Sequence, residues 1–271
     1  MKSIETADQA KQDTSYYQAL TELLYQLADD DFIISFRGSE WLGLAPHIEE
    51  DVAFSSITQN TMGHAFLYYQ LLEELGEGEV DVLAHERPPE QRRNASYFEK
   101  RNGEGSYMGE PRYDWALTVV RQFLYETMKK VKLEAAVKSS YQPLANTAQK
   151  VLMEQPYHLA HWKMWMQQLQ ASTEEAKTKI YSRLEEAWSE GQDILELGPQ
   201  AQELEHHQLI AGEDYLRNQW LKEVQATIKT PPASPLGKKF GSGRSGEHTP
   251  DLEQALQTLA EVYDSDRNAV W

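Results

Sequence analysis

Apolar positions recur at helical spacing along most of the chain. The first stripe consists of Tyr16, Leu20, Leu23, Leu24 and Leu27. Intervals of mostly three and four residues place these side chains on one face of a helix. A short apolar segment follows over residues 32–44 and ends at Pro46. The next pattern predicts a long helix over residues 52–75, which Gly76 stops.

Further apolar patterns and helix-start signals predict five more helices. They cover residues 114–138, 144–169, 173–190, 200–229 and 250–263. Pro143 opens the second of these helices, and Thr173 supplies an N-cap for the third. No convincing alternation of apolar and polar residues predicts a strand anywhere. The pattern therefore predicts an all-α protein.

Two polar stretches interrupt the helices. Residues 77–110 are rich in charged residues, Pro and Gly, and this stretch is longer than compact connections need. We expect it to lie across a bundle or at an interface. Residues 230–249 are dominated by Pro, Gly and Ser, which predicts a linker or tether.

The long helices come in two successive pairs, over about residues 30–75 and 112–170. Successive pairs of long helices are typical of a four-helix bundle. We therefore predict a single domain over residues 1–271. Its bundle core covers about 30–170, and the helices of residues 173–229, the linker and a last helix form an extension.

The acidic balance and the absence of cysteine narrow the range of functions. The formal net charge is −17, which argues against nucleic acids and anionic membranes as partners. With no cysteine, the chain has no disulfide, iron–sulfur cluster or thiol catalysis. Residues 1–13 are polar, and no stretch approaches the roughly 18 apolar residues of a membrane span. We expect a cytoplasmic protein.

Each predicted helix pair offers one Glu followed by one His. Glu40 and His64 belong to the first pair, and Glu126 and His158 belong to the second. Di-iron bundle enzymes take one Glu from each of two helices and a Glu-x-x-His motif from each of the other two. The carboxylates neutralise and bridge the irons, and the imidazoles complete the coordination. The spacing makes these four residues candidate ligands.

The positions three residues before the two histidines depart from that motif. Thr61 precedes the first histidine, and Gln155 precedes the second. Neither side chain carries the negative charge that bridges two irons, so the number of carboxylates falls from four to two. We predict a closed, metal-free polar cluster in which each glutamate pairs with the histidine of its own helix pair.

The one basic island of this acidic chain lies in the predicted linker. It consists of Lys238, Lys239 and Arg244. The simplest interpretation is a solvated, flexible loop. The functional hypothesis is that these side chains dock on an acidic partner surface or on the phosphates of a CoA thioester, since cation-to-phosphate pairing is chemically sound.

Several segments resemble one known family. SEWLGLAPHIEEDVAF followed by MGHAFLYYQLLEELG resembles the start of the PaaC-type subunit of bacterial phenylacetyl-CoA epoxidases. VVRQFLYET and YHLAHWKMWMQQL resemble its third and fourth core helices. GKKFGSGRSGEHTPDLEQALQTLAEV, with the terminal Trp271, resembles its C-terminal segment. The ordered set covers residues 28–271, although residues 77–112 match poorly.

This resemblance implies a ferritin-like fold and a structural, non-catalytic role. The homologous PaaA-type subunit would hold the di-iron centre, bind phenylacetyl-CoA and take electrons from a separate reductase subunit. The complex would then use O2 and NADPH to epoxidise the aromatic ring in phenylacetate breakdown. The present chain would bind no cofactor and would carry no catalytic or metal-binding residue.

The resemblance also implies which residues occupy the positions of the lost di-iron site and which residues could contact a partner. The vestigial di-iron positions would be Glu40, Thr61, His64, Glu126, Gln155 and His158. A homologous bundle would cover exposed apolar helices of the catalytic subunit. We therefore expect large aromatic residues to be divided between the core and that interface, among them Trp41, Tyr68, Tyr69, Trp162 and Trp165.

Two other functions remain open at this point. His64 stands where relatives often have Gln, so a single metal ion could bind. A self-standing metal-dependent oxidoreductase could also recruit Glu154 or Glu50 as replacement ligands. Alternatively, the chain could be a ferritin-like scaffold for another acyl-CoA enzyme.

Overall fold

The structure, a computed structural model, describes residues 3–238, 240–267 and 269. Lys239 and Trp271 lie outside the described residues. The described helices are α1 Ala7–Ala10, α2 Thr14–Ser39, α3 Ile48–Glu74, α4 Val80–His85, α5 Trp115–Ala136, α6 Gln142–Val151, α7 Gln155–Ala171, α8 Glu174–Glu190, α9 Ala201–His206, α10 Glu213–Gln225 and α11 Pro250–Ser265. Strands β1 Gly103–Ser106 and β2 Gly109–Tyr113 form one small sheet.

Helices α2, α3, α5 and α7 form the bundle. Helix α2 packs along α3, and α5 packs along α7. Helices α8 and α10 cover α5, while α9 lies against α2. This arrangement confirms the all-α, ferritin-like class with additional helices. No helix in the described ranges has both the length and the apolar character needed to cross a membrane.

Local side-chain caps explain where several helices begin. The Asp13 carboxylate accepts hydrogen bonds from the backbone of Ser15 and Tyr16 at the start of α2. Asp114 caps α5 in the same way. Thr173 accepts from the Ala176 amide at 3.2 Å, as its sequence position predicted. Each cap satisfies amides that have no partner within the first turn of a helix.

Helix lengths differ from the sequence prediction at three places. Helix α2 continues without a break through the apolar segment to Ser39. The predicted helix 144–169 is divided into α6 and α7, because Pro156 has no N–H to donate back to the preceding turn. The predicted helix 200–229 is divided near Gln208, whose backbone φ is 56°.

The hairpin β1–β2 contradicts the prediction that the chain has no strands. Glu104 pairs with Arg112, and Ser106 pairs with Gly109 in antiparallel register. The strands are short, rich in glycine and largely exposed, so no apolar alternation marks them in the sequence. Gly105, at φ 79°, lies so close to the Glu110 carbonyl that a β-carbon would not fit.

The five aromatic residues that we expected to be divided between core and interface all lie in the chain's own core. Trp41, Tyr68, Tyr69, Trp162 and Trp165 are all at least 93 % buried. The expected division of these five between core and interface was therefore wrong.

The predicted linker is not a flexible tether throughout, because Gly243 and Arg244 are buried against the bundle. Gly243 approaches the Asn94 carbonyl so closely that only a residue without a β-carbon fits there.

Candidate functional site

A closed polar cluster lies inside the four-helix bundle. We call it the interior cluster, and it consists of Asp31, His64, Tyr125, Glu126, Lys129, Gln155 and His158. Asp31 lies on α2 and His64 on α3. Helix α5 contributes Tyr125, Glu126 and Lys129, and α7 contributes Gln155 and His158. Every member is at least 94 % buried. Polar groups buried to this degree need partners inside the protein.

Glu40 lies outside the interior cluster, which contradicts its predicted pairing with His64. Its Oε2 accepts from Arg37 Nη1 at 3.1 Å and from Asn102 Nδ2 at 2.9 Å. Helix α2 is continuous, so Glu40 lies about 13 Å along the axis from the level of Asp31. Asp31 is the α2 residue that faces the interior cluster.

His64 is held in one tautomer by two different partners. Lys129 Nζ lies 2.9 Å from His64 Nδ1, and Glu154 Oε2 lies 3.0 Å from His64 Nε2. An ammonium can only donate, so Nδ1 accepts and the Nε2–H donates to the carboxylate. Burial, with a further contribution from the Lys129 charge, lowers the pKa of His64 to about 2. The imidazole is therefore neutral at physiological pH.

Lys129 is also bound on its other side. Its Nζ donates to Asp31 Oδ2 at 2.9 Å and to Tyr125 Oη at 3.1 Å. The Tyr125 hydroxyl in turn donates to Asp31 Oδ1. Burial raises the pKa of Asp31 to about 6, and the Lys129 ammonium opposes that rise.

The second half of the interior cluster contains the predicted Glu126 and His158. Glu126 Oε1 lies 3.5 Å from His158 Nδ1, so the second predicted pair is brought together, but these two atoms do not form a hydrogen bond. Gln155 Nε2 donates to Glu126 Oε2 at 3.1 Å and to the Glu126 carbonyl at 2.8 Å. Asn60 Nδ2 lies 3.5 Å from His158 Nε2. Gln155 thus neutralises no charge but satisfies one carboxylate oxygen.

Thr61 does not take part in this network. Its hydroxyl donates to the Ile57 carbonyl of its own helix at 2.8 Å. A glutamate at this position is the ligand that a di-iron site would require. The structure thus leaves α3 with one imidazole and no carboxylate at the level of the cluster.

The side chains present do not fit a di-iron centre. Among the described residues, no three His, Asp or Glu side chains are placed to hold a metal ion together. Glu154, half exposed, bonds to His64 at the rim. Glu50 instead accepts from His161 Nε2 at 2.9 Å and from Trp165 Nε1 at 2.7 Å. These two alternative ligands therefore have other partners.

Arg244 was predicted to dock a partner or CoA, and the structure contradicts this. Its guanidinium is fully buried and donates to Asp30 Oδ1 at 2.9 Å and to Asp30 Oδ2 at 2.7 Å. Lys238 lies 3.4 Å from a carboxylate oxygen of Glu196. Lys239 falls outside the described residues. The basic island is therefore not one continuous cationic surface.

Three consecutive buried acids in α2 were not predicted from the sequence. Asp29 accepts from Arg87 and Arg92, Asp30 accepts from Arg244, and Asp31 accepts from Lys129. The signal was present, since acids inside an apolar helix are seldom buried without paired cations.

The outer side of α3 and α7 carries exposed apolar residues. We call this surface the α3/α7 face, and it consists of Ile48, Val52, Phe66, Tyr157 and Met164, which are 48–77 % exposed. Residues 52–72 contain no charged residue, and residues 155–171 contain only Lys163. Contacts between His64 and Glu154 near one end, and Glu50 and Trp165 near the other, place the two helices side by side.

Comparison with known proteins agrees with this architecture. All 271 residues match the sequence model of the family described as Phenylacetic acid catabolic protein. The chain is 26 % identical over 249 residues to the C subunit of 1,2-phenylacetyl-CoA epoxidase from Escherichia coli (strain K12). That match covers 90 % of this chain and 96 % of the E. coli protein. It confirms the resemblance drawn from the helix segments, and the chain belongs to the phenylacetic acid catabolic protein family.

Proposed function

We propose that this chain is the non-catalytic structural subunit of a phenylacetyl-CoA epoxidase. A homologous PaaA-type subunit holds the di-iron centre and binds the CoA thioester. A reductase subunit passes it electrons from NADPH, and the complex adds one oxygen atom of O2 to the aromatic ring. The cytoplasmic complex acts in phenylacetate breakdown, and the present chain stabilises the catalytic subunit.

The observation that carries this proposal is the composition of the bundle interior. Where a di-iron bundle has four carboxylates and two imidazoles, this chain has neutral Thr61 and Gln155. Glu40 lies outside the interior cluster and bonds to Arg37. His64 bonds to Lys129 and Glu154, and His158 lies between Asn60 and Glu126. This interior supports a chain that keeps the fold but leaves oxygen chemistry to a partner.

The α3/α7 face is the surface that fits pairing with a homologous bundle. In a chain with 43 acidic residues, the adjacent helix stretches 52–72 and 155–171 together carry a single charged residue, Lys163. Several large exposed apolar side chains on one uncharged surface are typical of protein interfaces in soluble proteins. Obligate interfaces are also depleted in charged residues at their centre. We propose that the long bundle helices of the catalytic subunit pack against the α3/α7 face.

The test is reconstitution with the PaaA-type subunit of the same source. We expect the purified chains to elute together in size-exclusion chromatography and the mixture to melt at a higher temperature than either chain alone. Adding this chain should also raise epoxide formation from phenylacetyl-CoA, with iron found only in the catalytic subunit. Independent elution and unchanged melting would overturn the pairing.

The same preparation distinguishes the other functions. Close to two irons per isolated chain, with substrate turnover, would identify a self-standing oxidoreductase. Pairing with a catalytic subunit that epoxidises a different acyl-CoA, but not phenylacetyl-CoA, would identify a scaffold for another enzyme.

A further inference from the structure

We infer that the Lys129 ammonium takes the place of a metal ion as the cation that joins the bundle helices, and that it keeps the interior cluster closed to metals. Its Nζ lies 2.9 Å from Asp31 Oδ2, 2.9 Å from His64 Nδ1 and 3.1 Å from Tyr125 Oη. An ammonium has three N–H groups, so all three are used. The inference concerns the chain's own interior and does not depend on the proposed partner.

The three acceptors come from three different helices. Asp31 lies on α2, His64 on α3 and Tyr125 on α5. Lys129 follows Glu126 by three residues, so both side chains project from one face of α5 into the bundle. One protein cation thus connects helices that a metal ion connects in a di-iron bundle.

A single positive charge matches the direct partners of Lys129, and the second carboxylate of the interior cluster, Glu126, bonds instead to Gln155. Asp31 is the carboxylate bonded to Lys129, and the His64 imidazole is neutral because its Nδ1 lone pair accepts from the ammonium. A divalent ion would have to compete with Lys129 for the same oxygen and nitrogen, against the repulsion of the ammonium.

Little free space adjoins Lys129 on the side away from His64. The cavity there, lined also by Asp30, Asp31 and Tyr125, has a volume of about 20 Å³. This volume suffices for about one water molecule and not for a metal ion with its own water ligands. Removing the Lys129 side chain would open this space and leave Asp31 and His64 without their cation.

The experiment compares Lys129→Ala with the neighbouring Lys130→Ala in the full chain. Lys130 is on the outer side of α5 and pairs with Glu223. Each protein is incubated with Zn²⁺, desalted and analysed for bound zinc, and its melting temperature is measured with and without the ion. Zinc that binds elsewhere on the surface appears equally in the control.

We expect the wild type and Lys130→Ala to bind the same small amount of zinc. Lys129→Ala should melt at least about 6 °C below them, because it leaves a buried carboxylate unpaired. It should also bind about one additional zinc per chain and regain part of the lost melting temperature. A Lys129→Ala protein that melts like the control, or that binds no additional zinc, would overturn the inference.

A second measurement needs only the wild-type chain. Nitrogen-15 NMR at pH 7 reports which imidazole nitrogen of His64 carries the proton. The inferred arrangement requires a proton on Nε2 and an unprotonated, hydrogen-bonded Nδ1. A proton on Nδ1 would show that Lys129 does not donate there and would overturn the inference even if the variant failed to fold.

Discussion

Arg244 donates to both carboxylate oxygens of Asp30, at 2.9 Å and 2.7 Å, across 214 residues of sequence. The pair attaches the C-terminal loop to the middle of α2. Burial opposes the charge, but Asp30 raises the pKa of Arg244, so the guanidinium stays protonated. A segment with the composition of a flexible tether is therefore fixed to the bundle.

Arg244→Met should lower the free energy of unfolding by about 3–5 kcal/mol, because the buried Asp30 carboxylate loses its direct partner and keeps only a more distant cation. Lys132 Nζ, 3.6 Å away, would be the remaining positive group. Urea unfolding followed by circular dichroism measures the change. The control Lys238→Met, at an exposed pair with Glu196, should cost less than about 1 kcal/mol. Equal losses in the two variants would contradict this assignment.

The neutral state of His64 should make stability depend on pH. Burial lowers its pKa to about 2, whereas the unfolded chain takes up this proton near pH 6.5. The unfolded state therefore binds more protons below pH 6.5, and this contribution to stability is lost as pH falls. Its slope is about 1.4 kcal/mol per pH unit.

His64→Gln removes that titration, and the amide oxygen of the new side chain can still accept from Lys129. We expect the free energy of unfolding to fall less steeply in the variant between pH 6 and pH 4.5, by about 1.4 kcal/mol per unit. Asp31, whose raised pKa gives a slope of the opposite sign, is present in both proteins and largely cancels in the comparison. Parallel curves for the two proteins would contradict a neutral His64. His206→Gln, at an exposed position, is the matched control.

A charge placed on the α3/α7 face should weaken the complex without unfolding the chain. Tyr157 is 77 % exposed, so Tyr157→Asp should change the melting temperature of the isolated chain little. Burying an unpaired carboxylate in an apolar interface should weaken binding to the catalytic subunit at least tenfold. Titration calorimetry measures the affinity. Val262→Asp, on the exposed side of α11, should bind like the wild type. Equal affinities of all three proteins would place the interface elsewhere.

Glu50 should contribute to stability by joining α3 to α7. It is 97 % buried and accepts from Trp165 Nε1 at 2.7 Å. Glu50→Ala leaves this indole N–H unpaired and should cost about 2–3 kcal/mol. In a double-mutant cycle, Glu50→Ala and Trp165→Phe should show a coupling of about 1 kcal/mol. The exposed Glu49→Ala should show no coupling with Trp165→Phe, and additive losses for Glu50 and Trp165 would contradict a direct bond.

The sequence by itself determined the local structure of this protein. Apolar residues at intervals of three and four identified α2, α3 and α5, because helix faces depend on neighbours only a few residues away. Thr173 acts over three residues, so its capping role was equally visible. The family was also recognisable, since it depends on the order of these helix segments along the chain.

Only the tertiary structure decided the long-range pairs. Asp31, rather than Glu40, is joined to His64 through Lys129. Helix α2 is continuous, so Glu40, nine residues further along, lies about two and a half turns away from Asp31. The burial of Arg244 likewise depends on Asp30, a residue far away in sequence. Helical periodicity shows which face of a helix is apolar, but it does not show which charged groups of other helices lie opposite that face. Those contacts depend on where each helix begins, bends and ends in the packed bundle.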